Sequence, residues 1–290
     1  MPAPARREAP ERAADFDAVL WSGGGCRCFW QAGFWSVVAP ALALRPRTMV
    51  GASAGAAFAC AAIADRLEAI VESFARRTAR NPRNVYPANL VRRRPVFPHA
   101  QIYRGTILDL LDDEALARLH AGPELKILVT RPPTQRAVVP TLLLGFGAYK
   151  LDTAVRGAVH SSLARRLGFV GELVSVRSCG SVDEVADLVL QSSCIPPLLP
   201  LYRRGDGIVV DGAIVNDAML DAVAGHDSTL VMLSRPYARL PEVPGRTYVA
   251  PSRKPPIAMW DYASPALIRP TFELGREDGE RFVARHRRPS

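Results

Sequence analysis

The chain lacks an apolar run long enough to cross a membrane. No stretch reaches the length of about 18 to 20 apolar residues that a membrane span requires, and residues 137–149 are interrupted by Pro140. Residues 1–15 carry charges of both signs and no apolar run, which is not the pattern of a secretory signal peptide. We therefore expect a soluble, cytoplasmic protein with a disordered segment over residues 1–15.

The chain also lacks the cysteine spacing of a metal site. Its five cysteines are an odd number, which together with the missing signal peptide indicates free thiols in a reducing compartment. Cys26 and Cys28 form a Cys-x-Cys pair, but Cys60, Cys179 and Cys194 supply no further group at regular spacing. We predict packing thiols and no bound metal.

Acidic residues are fewer than basic ones, 28 against 37, so the formal net charge is +9. Such a charge attracts nucleic acid or an anionic membrane surface. The grouped arginines have no regular aromatic accompaniment on which bases could stack. We therefore predict no nucleic-acid partner, and leave open a solvated basic surface and peripheral contact with an anionic membrane.

The length and composition of the chain are those of one large domain. It has 290 residues, 48% of them hydrophobic, and no internal repeat, so we predict a single domain over residues 16–288. Short apolar segments alternate with helical patterns, which favours a mostly parallel sheet covered on both faces. The predicted strands are 16–21, 47–50, 124–130, 173–176, 208–210, 229–233 and 248–250. The predicted helices are 29–39, 54–63, 65–80, 104–120, 181–190 and 271–288.

A glycine-rich loop, Gly-Gly-Gly-Cys-Arg at 23–27, follows the first predicted strand and precedes a helix. Free backbone N–H groups at a helix N-terminus favour an anion, so the loop can hold an oxyanion or a phosphate. A dinucleotide fingerprint fits poorly, because Cys28 takes the place of its third glycine and residues 40–47 contain no acid. A P-loop needs Gly-Lys-Ser/Thr, which is missing. A simple turn remains an alternative.

The stretch Val-Gly-Ala-Ser-Ala-Gly at 50–55 joins a predicted strand to a predicted helix. Ser53 would stand on a sharp turn with its hydroxyl exposed, as a nucleophile requires. Side chains in place of Gly51 and Gly55 would crowd that turn. Farther along, Asp211 ends a short β-branched strand and is followed by Gly212, where open α/β sheets present functional groups.

A serine nucleophile needs a base, and histidine usually supplies it. Ser53, Asp211 and His226 have the chain order of an α/β-hydrolase triad. That fold, however, has several strands before its serine, whereas only two predicted strands precede Ser53. We therefore interpret His226 as a loop histidine.

Together the three motifs resemble those of the patatin-like phospholipase family. The family has a Gly-Gly-Gly-x-Arg/Lys loop, a Gly-x-Ser-x-Gly turn after the second strand, and a distal Asp-Gly-Gly/Ala, which match 23–27, 51–55 and 211–213. Ser192 and Pro196 also look like its Ser-x-x-x-Pro segment. The resemblance implies a three-layer α/β/α fold with a mostly parallel central sheet.

The resemblance further implies a catalytic dyad that needs neither histidine nor cofactor. Ser53 would attack the ester and Asp211 would act as the base. The implied oxyanion hole is built from the amides of Gly23, Gly24 and Gly25, with Arg27 fixing or charging the loop. Burial of a carboxylate base beside Ser53 is expected to raise its pKa.

The expected substrates are fatty-acyl esters of phospholipids or lysophospholipids met at a membrane surface. A small-ester or thioester hydrolase or an acyltransferase of the same fold is one alternative. A catalytically silent binding protein is another, since Ala213, Asp217 and Met219 depart from the commonest family pattern after the aspartate. Residues 81–99 are a candidate lid or membrane-contacting loop, and residues 137–151 are a strand or a wall for an acyl chain.

Overall fold

The structure is a computed structural model that describes residues 16–287 apart from 139, 144, 146, 148–158, 160, 161 and 197. The predicted disordered segment 1–15 and much of 137–151 lie outside the described residues. No helix among the described residues combines the length and the apolar character needed to cross a membrane.

A six-stranded, mostly parallel sheet forms the centre of the fold. Its strands are β1 (Ala18–Trp21), β2 (Thr48–Ala52), β3 (Glu124–Arg131), β4 (Val170–Ser175), β7 (Thr229–Met232) and β8 (Arg246–Val249). Their order is β4-β3-β2-β1-β7-β8, and only β4 runs antiparallel to its neighbour. A separate antiparallel hairpin pairs β5 (Tyr202–Arg204) with β6 (Gly207–Val209).

Helices connect the strands and cover the sheet. The α-helices whose limits lie within the described residues are α1 (Phe29–Ala41), α2 (Ala54–Ile63), α3 (Leu67–Ala79), α4 (Ala88–Val91), α5 (His99–Leu110), α6 (Asp113–Ala121), α7 (Leu163–Arg166), α8 (Val182–Ser192), α9 (Ala218–Asp221) and α10 (Ile268–His286). Short 3-10 helices lie at Gly25–Cys28, Val176–Ser178, Gly212–Val215 and Pro265–Leu267.

The sheet separates two hydrophobic cores, as a three-layer fold requires. Alternate residues of each strand point to opposite faces. Val19 and Trp21 of β1 therefore pack into the larger core with α1, α2, α3, α5, α8 and α10. Ala18 and Leu20 pack into the smaller core with the segment around Ile214 and α9. The predicted α/β/α architecture with a mostly parallel sheet is confirmed.

Helices α1 and α10 pack unusually closely because glycines lie at their contact. A Cβ on Gly33 would overlap the carbonyl of Phe272, and a Cβ on Gly275 would overlap the carbonyl of Trp30. The indole Nε1 of Trp30 also donates to the carboxylate of Asp278 at 2.7 Å. Helix α10, near the C-terminal end of the described chain, thus supports α1.

Three predicted elements differ from the structure. The strand alternative for residues 137–151 is wrong, because the described residues among 138–147 are helical. The helix predicted over 104–120 is wrong: it is divided into α5 and α6 at Asp112, whose carboxylate accepts a hydrogen bond from the Ala115 amide at 2.8 Å and caps α6. The strand predicted over 208–210 is not part of the central sheet. It forms β6 of the hairpin, and only Val210 bridges to Thr130 at the end of β3.

The carboxyl end of β1 is the point at which the connections diverge. From β1 the chain continues to β2 and β3 on one side, whereas β7 and β8 lie on the other. In open α/β sheets, ligands bind in the crevice outside the strands at such a point. The loops after β1, β2 and β7 meet there.

Candidate active site

Ser53 occupies a strained turn between β2 and α2. Its φ of 54° and ψ of −134° lie in a region that non-glycine residues rarely adopt. The tight packing around it needs glycine: a Cβ on Gly55 would overlap the carbonyl of Trp21, and a Cβ on Gly51 would lie 2.6 Å from the Cα of Ala56. Strain at a single residue of this kind marks a position that the surrounding structure holds in place.

The hydroxyl of Ser53 donates a hydrogen bond directly to Asp211. The Oγ to Oδ2 distance is 2.7 Å, and the other carboxylate oxygen accepts from the amide of Ala213 at 2.7 Å. Asp211 is only 1% exposed, and this burial raises its pKa from 3.8 to about 7, although the hydrogen bonds from Ser53 and Ala213 lower it. The carboxyl group is therefore a far stronger base than an exposed one.

Asp211 reaches this position through contacts with the end of β3. Val210 and Thr130 exchange both backbone hydrogen bonds, at 2.8 and 3.1 Å, and the Asp211 amide donates to the carbonyl of Cys194 at 3.0 Å. A Cβ on Gly212 would overlap the carbonyl of Leu128. Glycine at 212 thus allows the aspartate loop to approach the sheet closely.

Ser192 links the turn at Ser53 to β3. Its hydroxyl accepts from the Ser53 amide at 2.8 Å and donates to the Leu128 carbonyl at 2.6 Å. The motif that begins at Ser192 therefore positions the backbone of Ser53, a contact that the sequence pattern alone does not reveal. The Ser53 amide is engaged by this bond.

The glycine loop lies against Ser53. A Cβ on Gly23 would be 3.1 Å from the Cβ of Ser53, and one on Gly24 would overlap the hydroxyl of Ser234. Gly25 has a φ of 56°, and a Cβ there would overlap the carbonyl of Met259. Only glycines allow the backbone of this loop to stand so close to its neighbours.

Side chains hold the loop in one orientation. Ser234 Oγ donates to the Gly23 carbonyl at 2.8 Å, and Arg27 Nε donates to the Gly24 carbonyl at 3.3 Å. Gln31 Nε2 donates to the carbonyls of Ser22 and Met232, at 2.9 and 3.0 Å. These bonds join the loop to the end of β7.

These groups line one cleft that is open to solvent. Ser53, Asp211, Arg27 and the three glycines 23–25 all contribute to its lining. Arg235 also lines it, with its guanidinium carbon 4.1 Å from the ring centre of Tyr237. The Nη2 of Arg235 is buried and has no hydrogen-bond partner among the described residues. The cleft that contains Ser53 is therefore also lined by two cationic side chains, Arg27 and Arg235.

A second, small apolar cavity of about 20 Å³ shares Gly25 with the cleft and reaches Ala54, the residue after Ser53. It lies between α1, α2, α3 and α5, and its side chains are mainly aromatic and aliphatic. They are Cys26, Phe29, Phe58, Ile70, Phe74, Tyr103, Thr106 and Tyr262.

No histidine is among the described residues that line the cleft, and His160 lies outside the described residues. His226 precedes the amino end of β7, whereas Ser234 in the cleft follows its carboxyl end. His226 thus lies at the amino ends of the parallel strands, whereas Ser53 lies at their carboxyl ends. The interpretation of His226 as a loop histidine agrees with this placement.

The cysteines do not form a cluster with other possible ligands. The described residues contain no group of three or more histidine, cysteine, aspartate or glutamate side chains that could hold a metal ion. All five cysteines are free and buried. Burial raises the pKa of Cys28 to about 12, so its thiol is protonated and poorly reactive at neutral pH.

Sequence reasoning missed Ser234 and Gln31, which fix the glycine loop. Ser234 follows a predicted strand, the place where a parallel sheet presents functional side chains, and this signal could have identified it. Gln31 is a polar residue within the apolar run Phe-Trp-Gln-Ala-Gly-Phe, which was a weaker signal. No sequence signal indicated that Met259 lies in the wall of the cleft.

A family model described as patatin-like phospholipase matches residues 20–224, which include the glycine loop, Ser53 and Asp211. Among solved structures, VipD from Legionella pneumophila is similar, with 10% sequence identity, a TM-score of 0.45, and coverage of 94% of this chain and 67% of that chain. No curated protein matches the sequence.

Proposed function

The chain belongs to the patatin-like phospholipase family, and from this premise we propose that it cleaves fatty-acyl esters of phospholipids or lysophospholipids with a Ser53–Asp211 dyad. The observation that carries the proposal is the direct 2.7 Å hydrogen bond from Ser53 Oγ to Asp211 Oδ2. A hydroxyl becomes a competent nucleophile when an adjacent base accepts its proton. A carboxyl with a pKa of about 7 can accept that proton near neutral pH.

In the first step, Ser53 Oγ attacks the ester carbonyl carbon as its proton passes to Asp211. The carbonyl oxygen becomes an oxyanion that accepts hydrogen bonds from amides of Gly23, Gly24 and Gly25. Preorganised amides of this kind are typically worth several kcal/mol of barrier each. As the tetrahedral intermediate collapses, Asp211 returns the proton to the leaving alcohol, and the acyl group remains on Ser53.

In the second step, Asp211 takes a proton from a water molecule, which attacks the acyl-enzyme. Collapse of the second intermediate releases the fatty acid and returns the proton to Ser53. This reaction needs no metal or cofactor, because Ser53, Asp211 and the amides supply the nucleophile, the base and the electrostatic stabilisation. Arg27 contributes by holding the Gly24 carbonyl.

The residues of the cleft and of the adjoining cavity support the proposal that the substrate is a lipid with an anionic head group. Arg235 offers a buried N–H without a described partner, and a phosphate or carboxylate oxygen would satisfy it. The apolar side chains around the small cavity beside Ala54 would part to contact the acyl chain, because burial of each CH₂ contributes about 0.8 kcal/mol. We propose that the protein works in the cytoplasm and meets its substrate peripherally at a membrane surface.

Fatty-acid release from phospholipid vesicles, measured for the wild type and for Ser53→Ala, tests this function. We expect release by the wild type, none by Ser53→Ala, and labelling of Ser53 by a fluorophosphonate. Activity confined to short soluble esters would favour the small-ester alternative. Absence of both labelling and hydrolysis would favour a silent binding protein.

Arg235→Gln tests the head-group assignment. We expect it to lower kcat/KM on a phospholipid by about ten-fold or more, as for loss of a charged hydrogen bond, and to leave hydrolysis of a neutral soluble ester unchanged. Arg239→Gln is the matched control, because the side chain of Arg239 is 87% exposed and does not line the cleft. Equal losses on both substrates would show that Arg235 supports the cleft rather than the head group.

A further inference from the structure

Two aliphatic side chains project into solvent from the short helix α4. Leu90 is 74% exposed and Val91 is 89% exposed, which are the two highest values among the large exposed hydrophobic residues described. Val85 is also exposed, at 43%. Single exposed apolar residues are ordinary, but neighbouring ones on a projecting turn form a surface that water solvates poorly.

The chain continues from this turn directly into three arginines. Arg92, Arg93 and Arg94 are exposed, and no acidic residue occurs anywhere in residues 81–99. None of the three forms an ion pair with a carboxylate of the described chain, whereas Arg76, Arg77 and Arg104 nearby in sequence do. We define the docking segment as residues 85–94. It consists of an apolar tip, Leu90 and Val91, followed by the basic residues Arg92–Arg94.

The docking segment is an ordered turn. The Tyr86 amide donates to the Val96 carbonyl at 2.8 Å, and the side chain of Asn89 donates to the Pro95 carbonyl at 2.8 Å. The Arg94 amide returns to the Asn89 carbonyl at 2.9 Å and ends α4. These bonds hold the apolar tip and the arginines together.

Arg93 takes a backbone conformation that costs stability. Its φ is 51°, at the helix end where glycine is the usual residue. A non-glycine residue in this region costs roughly 1 kcal/mol.

The base of the docking segment is fastened to the wall of the active-site cleft. The Asn84 side chain accepts from the Tyr262 amide at 2.7 Å, and the Asn81 side chain donates to the Tyr262 carbonyl at 2.7 Å. His99 Nε2 lies 3.1 Å from the carbonyl of Trp260, which lines the cleft together with Met259. A surface bound by the segment is thus brought beside the cleft.

We propose that the docking segment binds the surface of an anionic lipid bilayer, with Leu90 and Val91 inserted among the lipids and Arg92–Arg94 against their head groups. The choice of partner rests on charge complementarity, because three exposed arginines without described ion pairs, next to an apolar tip, match an anionic surface that covers an apolar phase. The proposal deepens the proposed function, on which it rests for the lipid substrate. Each arginine near such a surface improves partitioning about five-fold.

Binding to vesicles tests the proposal without interference from hydrolysis when the full chain carries Ser53→Ala. Sedimentation is measured with phosphatidylcholine vesicles, alone or mixed with phosphatidylglycerol. We expect binding only to the mixed vesicles, weakened by added salt. Leu90→Ser/Val91→Ser is expected to lower the partition coefficient at least ten-fold, and neutralising all three arginines with glutamine about a hundred-fold.

Arg93→Gly separates docking from folding. It removes one charge and relieves the backbone, so we expect about five-fold weaker partitioning with equal or greater resistance to urea. Val170→Ser, at a 60% exposed position on β4, and Arg239→Gln are the matched controls and should bind as well as the parent. Unchanged binding in both the apolar and the arginine variants of the segment would overturn the proposal.

Two further results would also overturn it, and one assay distinguishes it from failure of the proposed function. Equal binding to neutral vesicles would contradict the role of the arginines. Concentration-dependent dimerisation lost in Leu90→Ser/Val91→Ser, with vesicle binding retained, would assign the tip to a second copy of the chain. Hydrolysis of a short soluble ester by the chain with Ser53 intact is measured separately: its absence would contradict the dyad while segment-dependent binding still supported docking.

Discussion

The hydroxyl of Ser234 donates to the carbonyl of Gly23 at 2.8 Å, joining the end of β7 to the loop after β1. Because a peptide unit is planar and trans, a bond that holds the Gly23 carbonyl also fixes the direction of the Gly24 N–H. That N–H belongs to the proposed oxyanion hole. Ser234 is therefore a positioning residue: it orients the Gly24 N–H and does not itself contact the oxyanion.

Ser234→Ala should lower kcat on a soluble ester by about ten-fold, less than the hundred-fold or more typical of losing an oxyanion donor, and leave KM nearly unchanged. The reason is that the amide remains but is less well oriented. Steady-state kinetics measure kcat and KM separately. Ser178→Ala, in the exposed 3-10 helix Val176–Ser178, is the control. A rise in KM alone would instead place Ser234 in substrate binding.

The rate should increase with pH through the pKa of Asp211. Only the carboxylate can accept the Ser53 proton, and burial raises the pKa of this group to about 7. We expect kcat/KM on a neutral soluble ester to rise about ten-fold per pH unit below 7 and to level off above it. An inflection near pH 4 would contradict the buried base.

Asp211→Asn should greatly lower activity and stabilise the fold above neutral pH. The pKa of Asp211 is higher in the folded protein than the ordinary 3.8, so its ionisation disfavours the folded state as pH rises from about 4 to about 7. The full effect above pH 7 is about 4 kcal/mol at most. Asparagine can still accept from Ala213 and has no charge to bury.

Urea unfolding of the wild type and of Asp211→Asn, at pH 8 and at pH 5, measures this difference. We expect the variant to be the more stable protein at pH 8 and the gap to narrow at pH 5. Its kcat should be lower by about a thousand-fold, as for loss of a general base. A variant less stable than wild type at both pH values would refute the argument from burial.

Gly275→Ala should destabilise the protein without changing its chemistry. The added Cβ would overlap the carbonyl of Trp30 and lie 2.8 Å from the amide of Phe34, so α1 and α10 must separate. Overpacking of this kind costs about 1 to 3 kcal/mol of the free energy of unfolding. Because α1 carries the glycine loop at its start, a lower kcat at a temperature where the variant is folded would show that the effect reaches the site.

Gly225→Ala is the control for that substitution. A Cβ at Gly225 would meet no atom within 4 Å, so we expect no loss of stability. Thermal unfolding of the two alanine variants, followed by circular dichroism, compares a crowded glycine with an uncrowded one in the same protein.

Local patterns were sufficient where an element depends on its own residues. The helix predicted over 54–63 has those limits in the structure, because small side chains and the turn at Ser53 define it. Ser181 caps α8 as its spacing with Glu184 predicts, accepting from the Glu184 amide at 3.2 Å. The predicted helix over 104–120 was wrong because a run of helix formers concealed the cap at Asp112.

The sequence predicted which residues form the site, but not how they are arranged in space. The chain order of three motifs indicated Ser53, Asp211 and the glycine loop, because the nucleophile turn, the base and the amides each need particular residues. Asp211 follows a short strand, as predicted, but that strand, β6, belongs to a hairpin outside the central sheet. Their catalytic roles stay a prediction.

The sequence by itself determined the alternation of strands and helices, the strained turn at Ser53 and the residue types around it, because these follow from neighbours in the chain. Only the tertiary structure decided that Asp211, 158 residues away, touches Ser53, and that Ser234 and the segment at Met259 complete the cleft. Such contacts depend on how β1, β2 and β7 are ordered in the sheet. That order is set by the packing of both cores at once, which no local pattern contains.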